Sequence, residues 1–183
     1  DGKYYASLND AIAEVEKGDT IVILRDVPNA SGISVPSGSD FTIDFGGHTY
    51  TLTGPGAGSA GTETNAFQLL KDSTITMKNG TIRMAEGQTK IERLVQSYAD
   101  VTFEDMRFEV KNMFEGEDYA LSFNAGYVTF KGNTSVITSS GETIAFGVCY
   151  WIAGGYKDGV SVTFDESFTG TINGKILYDS ADP

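Results

Sequence analysis

The sequence predicts an all-β fold of the solenoid type, with about five to six coils and one capping helix. Three observations predict it. The composition combines 22 glycines, nine tyrosines and eleven phenylalanines with only four prolines, which is typical of short strands joined by tight turns. A unit of strands and turns recurs along the chain. Only one segment has helical periodicity. The length of 183 residues suits a single domain over residues 1–183.

The helical segment "SLNDAIAEVEKGDT" lies near the amino terminus, and we expect a helix over residues 8–17. Ser7 is the predicted N-cap, Asp10 its reciprocal acid, and Gly18 the left-handed C-terminal cap. An open solenoid end exposes apolar core and unpaired strand edges, so this helix is predicted to cover the first coil. Its apolar stripe consists of Leu8, Ala11, Ile12 and Val15.

The repeated unit occupies residues 20–178, and residues 179–183 form a polar tail or linker. Each unit has an upstream strand, a strand that ends in an aromatic or Met anchor, a short polar or Gly turn, and a further strand. The apolar residue two positions before each anchor faces the same way, so stacked units would form apolar ladders. The anchors are Phe45, Met77, Phe103, Phe130 and Phe164. The competing architecture, an antiparallel β-sandwich, would lack this register of anchor and turn.

The stretches "GKYYASLNDAIAEVEKGDTIVILRDV", "FTIDFGGHTYTLTG" and "STITMKNGTIRM" resemble right-handed parallel β-helix proteins of the pectate-lyase-like superfamily. The first stretch is similar to the cap and first coil of such modules in surface proteins of gut bacteria, and the other two resemble their coils. The resemblance implies a right-handed, single-stranded parallel β-helix in an exported, carbohydrate-associated or host-facing setting. The superfamily contains pectate lyases and polygalacturonases as well as adhesin-like modules without catalysis.

Charge and composition exclude several classes of function. The formal net charge is −12, which disfavours binding to nucleic acid or to anionic lipid. The single cysteine, Cys149, cannot form an intrachain disulfide and is predicted to be a small buried apolar residue. No stretch approaches the roughly 20 apolar residues of a membrane span.

No catalytic residue is predicted. The superfamily's Asn-Thr-Asp, Asp-Asp, Gly-His-Gly and Arg-Ile-Lys hydrolase motifs are absent from the sequence. His48 is the only histidine, and it follows a Gly-Gly turn where an exposed role is favoured. A lyase would need a basic residue, but Arg83, Arg93 and Arg107 lie among many acids and are interpreted as solvated pairs.

The segment "CYWIAGGYKDG" is the candidate binding site, because flat aromatic rings beside polar groups suit the faces of sugars. Alternation within a strand would place Tyr150 and Trp151 on opposite sides, so one of them is expected in the core. Packing of the loop is the competing interpretation. The candidate binding residues are Tyr150, Trp151, Tyr156 and Asp158.

The acidic stretch "FEGEDY" is a candidate Ca²⁺ site through Glu115, Glu117 and Asp118, since Ca²⁺ prefers oxygen ligands. It lacks the spacing of an EF-hand, and solvated charge is the favoured interpretation. No other cofactor is predicted.

These observations favour a non-catalytic module of the cell surface or extracellular space, acting as a scaffold or adhesion domain with carbohydrate contact. Its expected partner is an extracellular glycan or a host or cell-surface protein. The alternative is a divergent polysaccharide lyase or glycoside hydrolase, which would show carboxylates and a base converging on one groove. A third interpretation, a solenoid used only as a spacer, would show neither a groove nor an aromatic shelf.

Overall fold

The computed structural model describes residues 2–110, 119–139, 141–151 and 159–179. Within these residues the chain is mostly β, with one helix and sixteen strands. The elements are α1 (Leu8–Glu14), β1 (Thr20–Val22), β2 (Val27–Ala30), β3 (Ile33–Val35), β4 (Asp40–Asp44), β5 (Thr49–Leu52), β6 (Asn65–Leu69), β7 (Thr74–Met84), β8 (Arg93–Ser97), β9 (Asp100–Glu109), β10 (Tyr119–Phe123), β11 (Gly126–Lys131), β12 (Ser135–Ile137), β13 (Ile144–Cys149), β14 (Val160–Phe164), β15 (Ile172–Asn173) and β16 (Lys175–Asp179).

The strands form two sheets whose paired strands all run parallel. The larger sheet has the main order β1-β4-β7-β9-β11-β14, with β2, β5, β12 and β15 attached beside it. The smaller sheet has the order β3-β6-β8-β10-β13-β16. Neighbours in both sheets are therefore equivalent strands from successive parts of the chain, as an all-β fold with internal repeats requires.

The core of the larger sheet is a row of large apolar residues in register. The row runs Ile43, Met77, Phe103, Phe130 and Phe164, and its first four members are fully buried. The rings of Phe103 and Phe130 lie 5.5 Å apart, and those of Phe130 and Phe164 lie 5.3 Å apart. Each such buried side chain contributes roughly 1.5–3 kcal/mol of transfer free energy. Four of the five predicted anchors thus occupy one row.

Phe45 was predicted in this row, and that assignment is wrong by two residues. Ile43, not Phe45, is the partner of Met77. Four residues, 45–48, lie between the paired parts of β4 and β5, whereas only two residues, 79–80, lie between the corresponding parts of β7. The two additional residues shift Phe45 out of the row. Phe45 is still fully buried, and it packs over Gly80, where a Cβ would lie only 2.2 Å from the Phe45 Cβ. The glycine leaves the space that the additional aromatic ring fills.

The smaller sheet contributes two further apolar rows to the same core. One row contains Ile33, Phe67, Val95, Leu121 and Phe146, which are in register and buried. The other contains Val35, Leu69, Ser97, Phe123 and Val148. The rings of Phe123 and Phe146 are 5.6 Å apart, and those of Phe103 and Phe123 are 6.2 Å apart, so aromatic contacts join the two sheets.

The outward side of the larger sheet carries two polar rows. One is a row of six threonines, as expected for outward strand positions with β-branched residues. The next row alternates in charge, with Asp44, Lys78, Glu104 and Lys131 in successive strands. Lys78 Nζ lies 3.6 Å from Asp44 Oδ2. We call the first row the threonine ladder: Thr20, Thr42, Thr76, Thr102, Thr129 and Thr163.

A bend recurs at one register position beside these rows. Asn79 and Asp105 have positive φ values of 58° and 52°, and Gly132 has 54°. These conformations disfavour most side chains but are tolerated by Asn, Asp and Gly. The bends separate the two halves of the larger sheet and coincide with the turns expected after Met77, Phe103 and Phe130.

The helix α1 begins as predicted and ends earlier than expected. The Ser7 hydroxyl accepts a hydrogen bond from Asp10 N at 3.1 Å, which confirms the N-cap. The helix stops at Glu14, not at residue 17, because Val15 is extended and Asp19 Oδ2 accepts from Glu16 N at 3.1 Å. This side-chain bond offers the backbone an alternative to another helical turn. Gly18 has a φ of 84° but lies in the turn before β1.

The apolar stripe of α1 packs on the core as expected. Leu8, Ala11 and Ile12 are buried, Val15 is partly buried, and the helix contacts β3. The helix therefore covers the amino-terminal edge of the smaller sheet.

Ile12→Asp should destabilise the protein by about 3 kcal/mol or more, because it places a carboxylate in this apolar contact. For a domain of this size that corresponds to a fall of roughly 6–12 °C in melting temperature, followed by circular dichroism. The matched control is Asn9→Asp, which introduces the same carboxylate at an exposed position of the helix. Equal melting temperatures for both variants would contradict the covering role of α1.

Candidate functional site

A row of hydrogen-bonded polar side chains lies on the outward side of the smaller sheet. It runs through Ser34, Gln68, Gln96 and Ser122, which alternate with core residues along their strands. Gln68 Nε2 donates to Gln96 Oε1 at 3.0 Å, and Ser34 Oγ donates to Gln68 Oε1 at 3.4 Å. Gln68 and Ser122 are buried, whereas Gln96 is partly exposed. The buried Gln68 therefore holds the partly exposed Gln96 in place.

The side-chain oxygen of the partly exposed Gln96 accepts two hydrogen bonds. Its Oε1 atom accepts from Gln68 Nε2 and also from Asn65 Nδ2 at 3.2 Å. Among the residues that the structure describes, Gln96 Nε2 has no partner, so it remains available to donate to a ligand. Asn65 itself is buried, and its Oδ1 atom also lacks a partner within the described ranges.

Asn124 connects this row to the aromatic segment that follows β13. The Ser122 hydroxyl donates to Asn124 Oδ1 at 2.9 Å, and Asn124 Nδ2 donates to the Cys149 carbonyl at 3.0 Å. The Trp151 backbone N–H donates to the Asn124 carbonyl at 2.7 Å. Asn124 therefore holds Cys149 and Trp151 through two hydrogen bonds, while a third, from Ser122, orients its own side chain.

Trp151 is 49% exposed, whereas Tyr150 is partly buried. The strand β13 ends at Cys149, so neither residue obeys the strand alternation used to predict which ring lies in the core. Tyr98 N donates to the Leu69 carbonyl, which places this partly exposed tyrosine at the end of β8. We call the partly exposed group Gln96, Tyr98, Asn124 and Trp151 the amide face.

Tyr156 and Asp158, the other two predicted binding residues, lie outside the described residues. The predicted Ca²⁺ ligands Glu115, Glu117 and Asp118 also lie outside them. Within the described part of the chain, no group of three or more His, Cys, Asp or Glu side chains is arranged to hold a metal ion.

The basic residues considered for catalysis contact polar or acidic neighbours. Arg83 Nε donates to Thr51 Oγ1 at 3.1 Å, and Arg107 Nε donates to Glu109. His48 is partly exposed, and its Nδ1 atom lies 3.4 Å from Asp26 Oδ1. Hydrogen bonding from Thr49 N, and secondly from His48, lowers the pKa of Asp26. These contacts support the interpretation of such groups as surface pairs.

Two concave regions lie elsewhere on the molecule. A polar groove of about 380 Å³ follows the bends of the larger sheet and is lined in part by Asn79, Asp105 and Arg107. A larger cavity of about 1170 Å³ lies between the amino-terminal segment and β1–β2. Its lining includes Tyr50, whose pKa is raised by burial to about 12. Neither region includes a residue of the amide face.

A scan against protein-family models and searches of curated proteins and of solved structures found no match for this chain. In the described residues, no helix is long and apolar enough to cross a membrane.

Sequence reasoning identified Trp151 but missed Gln96, Tyr98 and Asn124. Each of these lies in or directly after an upstream strand of a repeat: Gln96 lies in "RLVQS" (residues 93–97), Tyr98 follows that run, and Asn124 follows "YALSF" (residues 119–123). Aligning the upstream strands with one another would have placed Gln68, Gln96 and Ser122 in one row.

Asn124→Ala should loosen the end of β13 before Trp151, because the Asn124 amide no longer bridges the Ser122 hydroxyl and the Cys149 carbonyl. Ser122 is buried, and a buried polar group that loses its hydrogen-bond partner costs about 1–3 kcal/mol. We expect a lower melting temperature and a red-shifted emission of Trp151, which is the only tryptophan. The control is Asn133→Ala at an exposed turn. Unchanged emission in Asn124→Ala would show that the Asn124 side chain does not position Trp151, whose N–H keeps its bond to the backbone carbonyl of residue 124.

Proposed function

We propose that this chain is a non-catalytic parallel β-helix module that binds uncharged carbohydrate on its amide face. The observation that carries the proposal is the hydrogen bonding of Asn124, which joins Ser122 of the outward polar row to the strand end that precedes the half-exposed Trp151. Gln96 of that row and the backbone of Trp151 are each held by hydrogen bonds to neighbours, so little ordering is needed when a ligand binds.

The strand pairing supports the β-helix. β11, β12 and β13 follow one another in the chain, and each pairs with equivalents before and after it. Three consecutive strands that each stack on their counterparts are what one coil of a parallel β-helix requires. The resemblance to the pectate-lyase-like superfamily adds the right-handed sense to the proposal.

The chemistry of the amide face suits neutral sugars. A pyranose offers hydroxyl groups, which exchange hydrogen bonds with amides and phenols, and an apolar face, which packs on an aromatic ring. The side chains of the amide face carry no formal charge near neutral pH. A ligand with many carboxylates would gain no ion pair there and would be repelled by the net charge of −12.

The same side chains favour binding over catalysis. Glycoside hydrolysis requires two carboxylic groups on either side of the scissile bond, and a lyase requires a base near its substrate. The row through Ser34, Gln68, Gln96 and Ser122 offers amides and hydroxyls, which do not transfer protons readily near pH 7. A binding module of an exported bacterial surface protein, acting in adhesion or as a scaffold, is the function we propose.

The direct test is a glycan-array screen of the wild type, Trp151→Ala and Gln96→Ala, run with Ca²⁺ and with EDTA. We expect specific binding of a neutral glycan, unaffected by EDTA and weakened at least about tenfold by either substitution, equivalent to 1.4 kcal/mol. The matched control is Tyr127→Ala, which removes an aromatic ring that is 57% exposed on the other sheet.

Binding that persists in Trp151→Ala and Gln96→Ala would place the ligand elsewhere. Cleavage of a bound glycan would contradict the non-catalytic assignment. A complete absence of binding would contradict the carbohydrate proposal and leave the scaffold role.

A further inference from the structure

The polar groove at the bends of the larger sheet brings together hydrogen-bonding groups from successive repeats. Its volume is about 380 Å³, which lies within the range of sites for small ligands. Its lining within the described residues consists of glycine and of six polar side chains. We call these six the bend groove: Asn79, Thr81, Asp105, Arg107, Asn133 and Ser135.

One row of the bend groove consists of hydrogen-bond donors. Thr81 pairs with Arg107, and Arg107 with Ser135, so the three side chains follow one another at about 4.8 Å. Ser135 is only 8% exposed, and its Oγ atom accepts from Thr171 N at 3.0 Å. No group of the described chain accepts the Ser135 hydroxyl proton. A buried donor without an acceptor is costly, so this hydroxyl requires an acceptor in the groove.

The Arg107 guanidinium has further unused donors. Its Nε atom donates to Glu109, whereas its two terminal amino groups have no acceptor among the residues that the structure describes. Arginine holds its N–H groups in a rigid planar fork. The side chain can therefore donate to a ligand while the Glu109 bond keeps it in place.

Asp105 supplies an acceptor whose position is fixed. Asn133 N donates to Asp105 Oδ1 at 2.8 Å, and the carboxylate lies over Gly132, where a Cβ would be only 2.3 Å from Oδ1. The φ value of 52° at Asp105 is uncommon for a residue other than glycine. The bend thus determines where the carboxylate lies, and its Oδ2 atom has no partner within the described ranges.

The charges and polarity of the bend groove select the class of ligand. Asp105 and Glu109 beside Arg107 leave no excess of positive charge for an anion, and Arg107 disfavours a cation. The described lining has no apolar side chain to hold a hydrophobic ligand. Hydroxyl groups both donate and accept. Neighbouring hydroxyls of a sugar ring therefore match the fixed acceptor of Asp105 and the donors of Arg107.

We infer that the bend groove is a second binding site, for a neutral sugar, in which Asp105 Oδ2 accepts from one ring hydroxyl while Arg107 and Ser135 donate to others. The bend groove belongs to the larger sheet, whereas Gln96 of the amide face belongs to the smaller sheet. The inference therefore does not depend on the proposed function of the amide face.

An NMR titration of the isotope-labelled full chain tests the inference, with the methyl α-glycosides of glucose, galactose and mannose at about 1 to 100 mM. At least one glycoside should cause saturable shifts of the backbone amides of Gly80 and Asn133. Trp151→Ala removes the aromatic ring of the amide face and should leave these shifts unchanged.

Arg107→Gln and Asp105→Asn should each weaken this binding about tenfold, because each removes a charged hydrogen-bonding group. Asparagine at position 105 tolerates the bend and keeps a side-chain oxygen for Asn133 N. The matched control is Arg83→Gln, which removes an exposed guanidinium of the same sheet outside the groove and should not change the affinity. Melting temperatures establish that each variant is folded.

The absence of saturable shifts with all three glycosides would overturn the inference, and so would equal affinity in the wild type, Arg107→Gln and Asp105→Asn. Sodium sulfate that shifts the same amides at a lower concentration than any glycoside would show an anion site instead. Shifts that are lost in Trp151→Ala but kept in Arg107→Gln would place the sugar on the amide face and contradict a site in the bend groove.

Discussion

The in-register parallel pairing of equivalent strands is the constraint on which the rest of the structure depends. Parallel pairing without a register shift brings each residue next to its counterpart about 4.8 Å away. Residues at equivalent positions of successive strands therefore form rows along the sheet, and each row has its own chemical character. The row from Ile43 to Phe164, the threonine ladder and the alternating charges beside it are three consequences of the same register. A slip of one residue would turn the apolar row to solvent.

The amide face follows from the same constraint. Because Gln68 and Gln96 are neighbours in one row, their side chains hydrogen-bond across the strands, and the buried Gln68 orients the partly exposed Gln96. Asn124 lies just beyond this row and fixes Trp151, which lies beyond the end of its strand. Register thus supplies both a rigid array of hydrogen-bonding groups and an attachment point for an aromatic ring, the two components that a carbohydrate-binding surface needs.

Local sequence patterns predicted the features that depend on neighbouring residues in the chain. The stripe of α1 and the anchors from Met77 to Phe164 follow from periodicity, and the Ser7 cap follows from the capping pattern of Ser7 and Asp10. The early end of α1 was missed, because it depends on the Asp19 side chain capturing Glu16 N. The displacement of Phe45 was missed because the space above Gly80 exists only after the strands stack. The amide face was missed because its residues are separated by about a repeat in sequence and meet only through register.

The most direct test of the central claim is to measure distances along the threonine ladder. Spin labels at Thr42 and Thr163, and at Thr76 and Thr163, in a Cys149→Ser background, would be measured by double electron–electron resonance. The pairs span four and three strand spacings, so we expect backbone separations of about 19 and 14 Å, one spacing apart. A Thr42–Thr163 distance that exceeds the Thr76–Thr163 distance by about one strand spacing would establish the in-register parallel stack. Equal distances, or the reverse order, would contradict it.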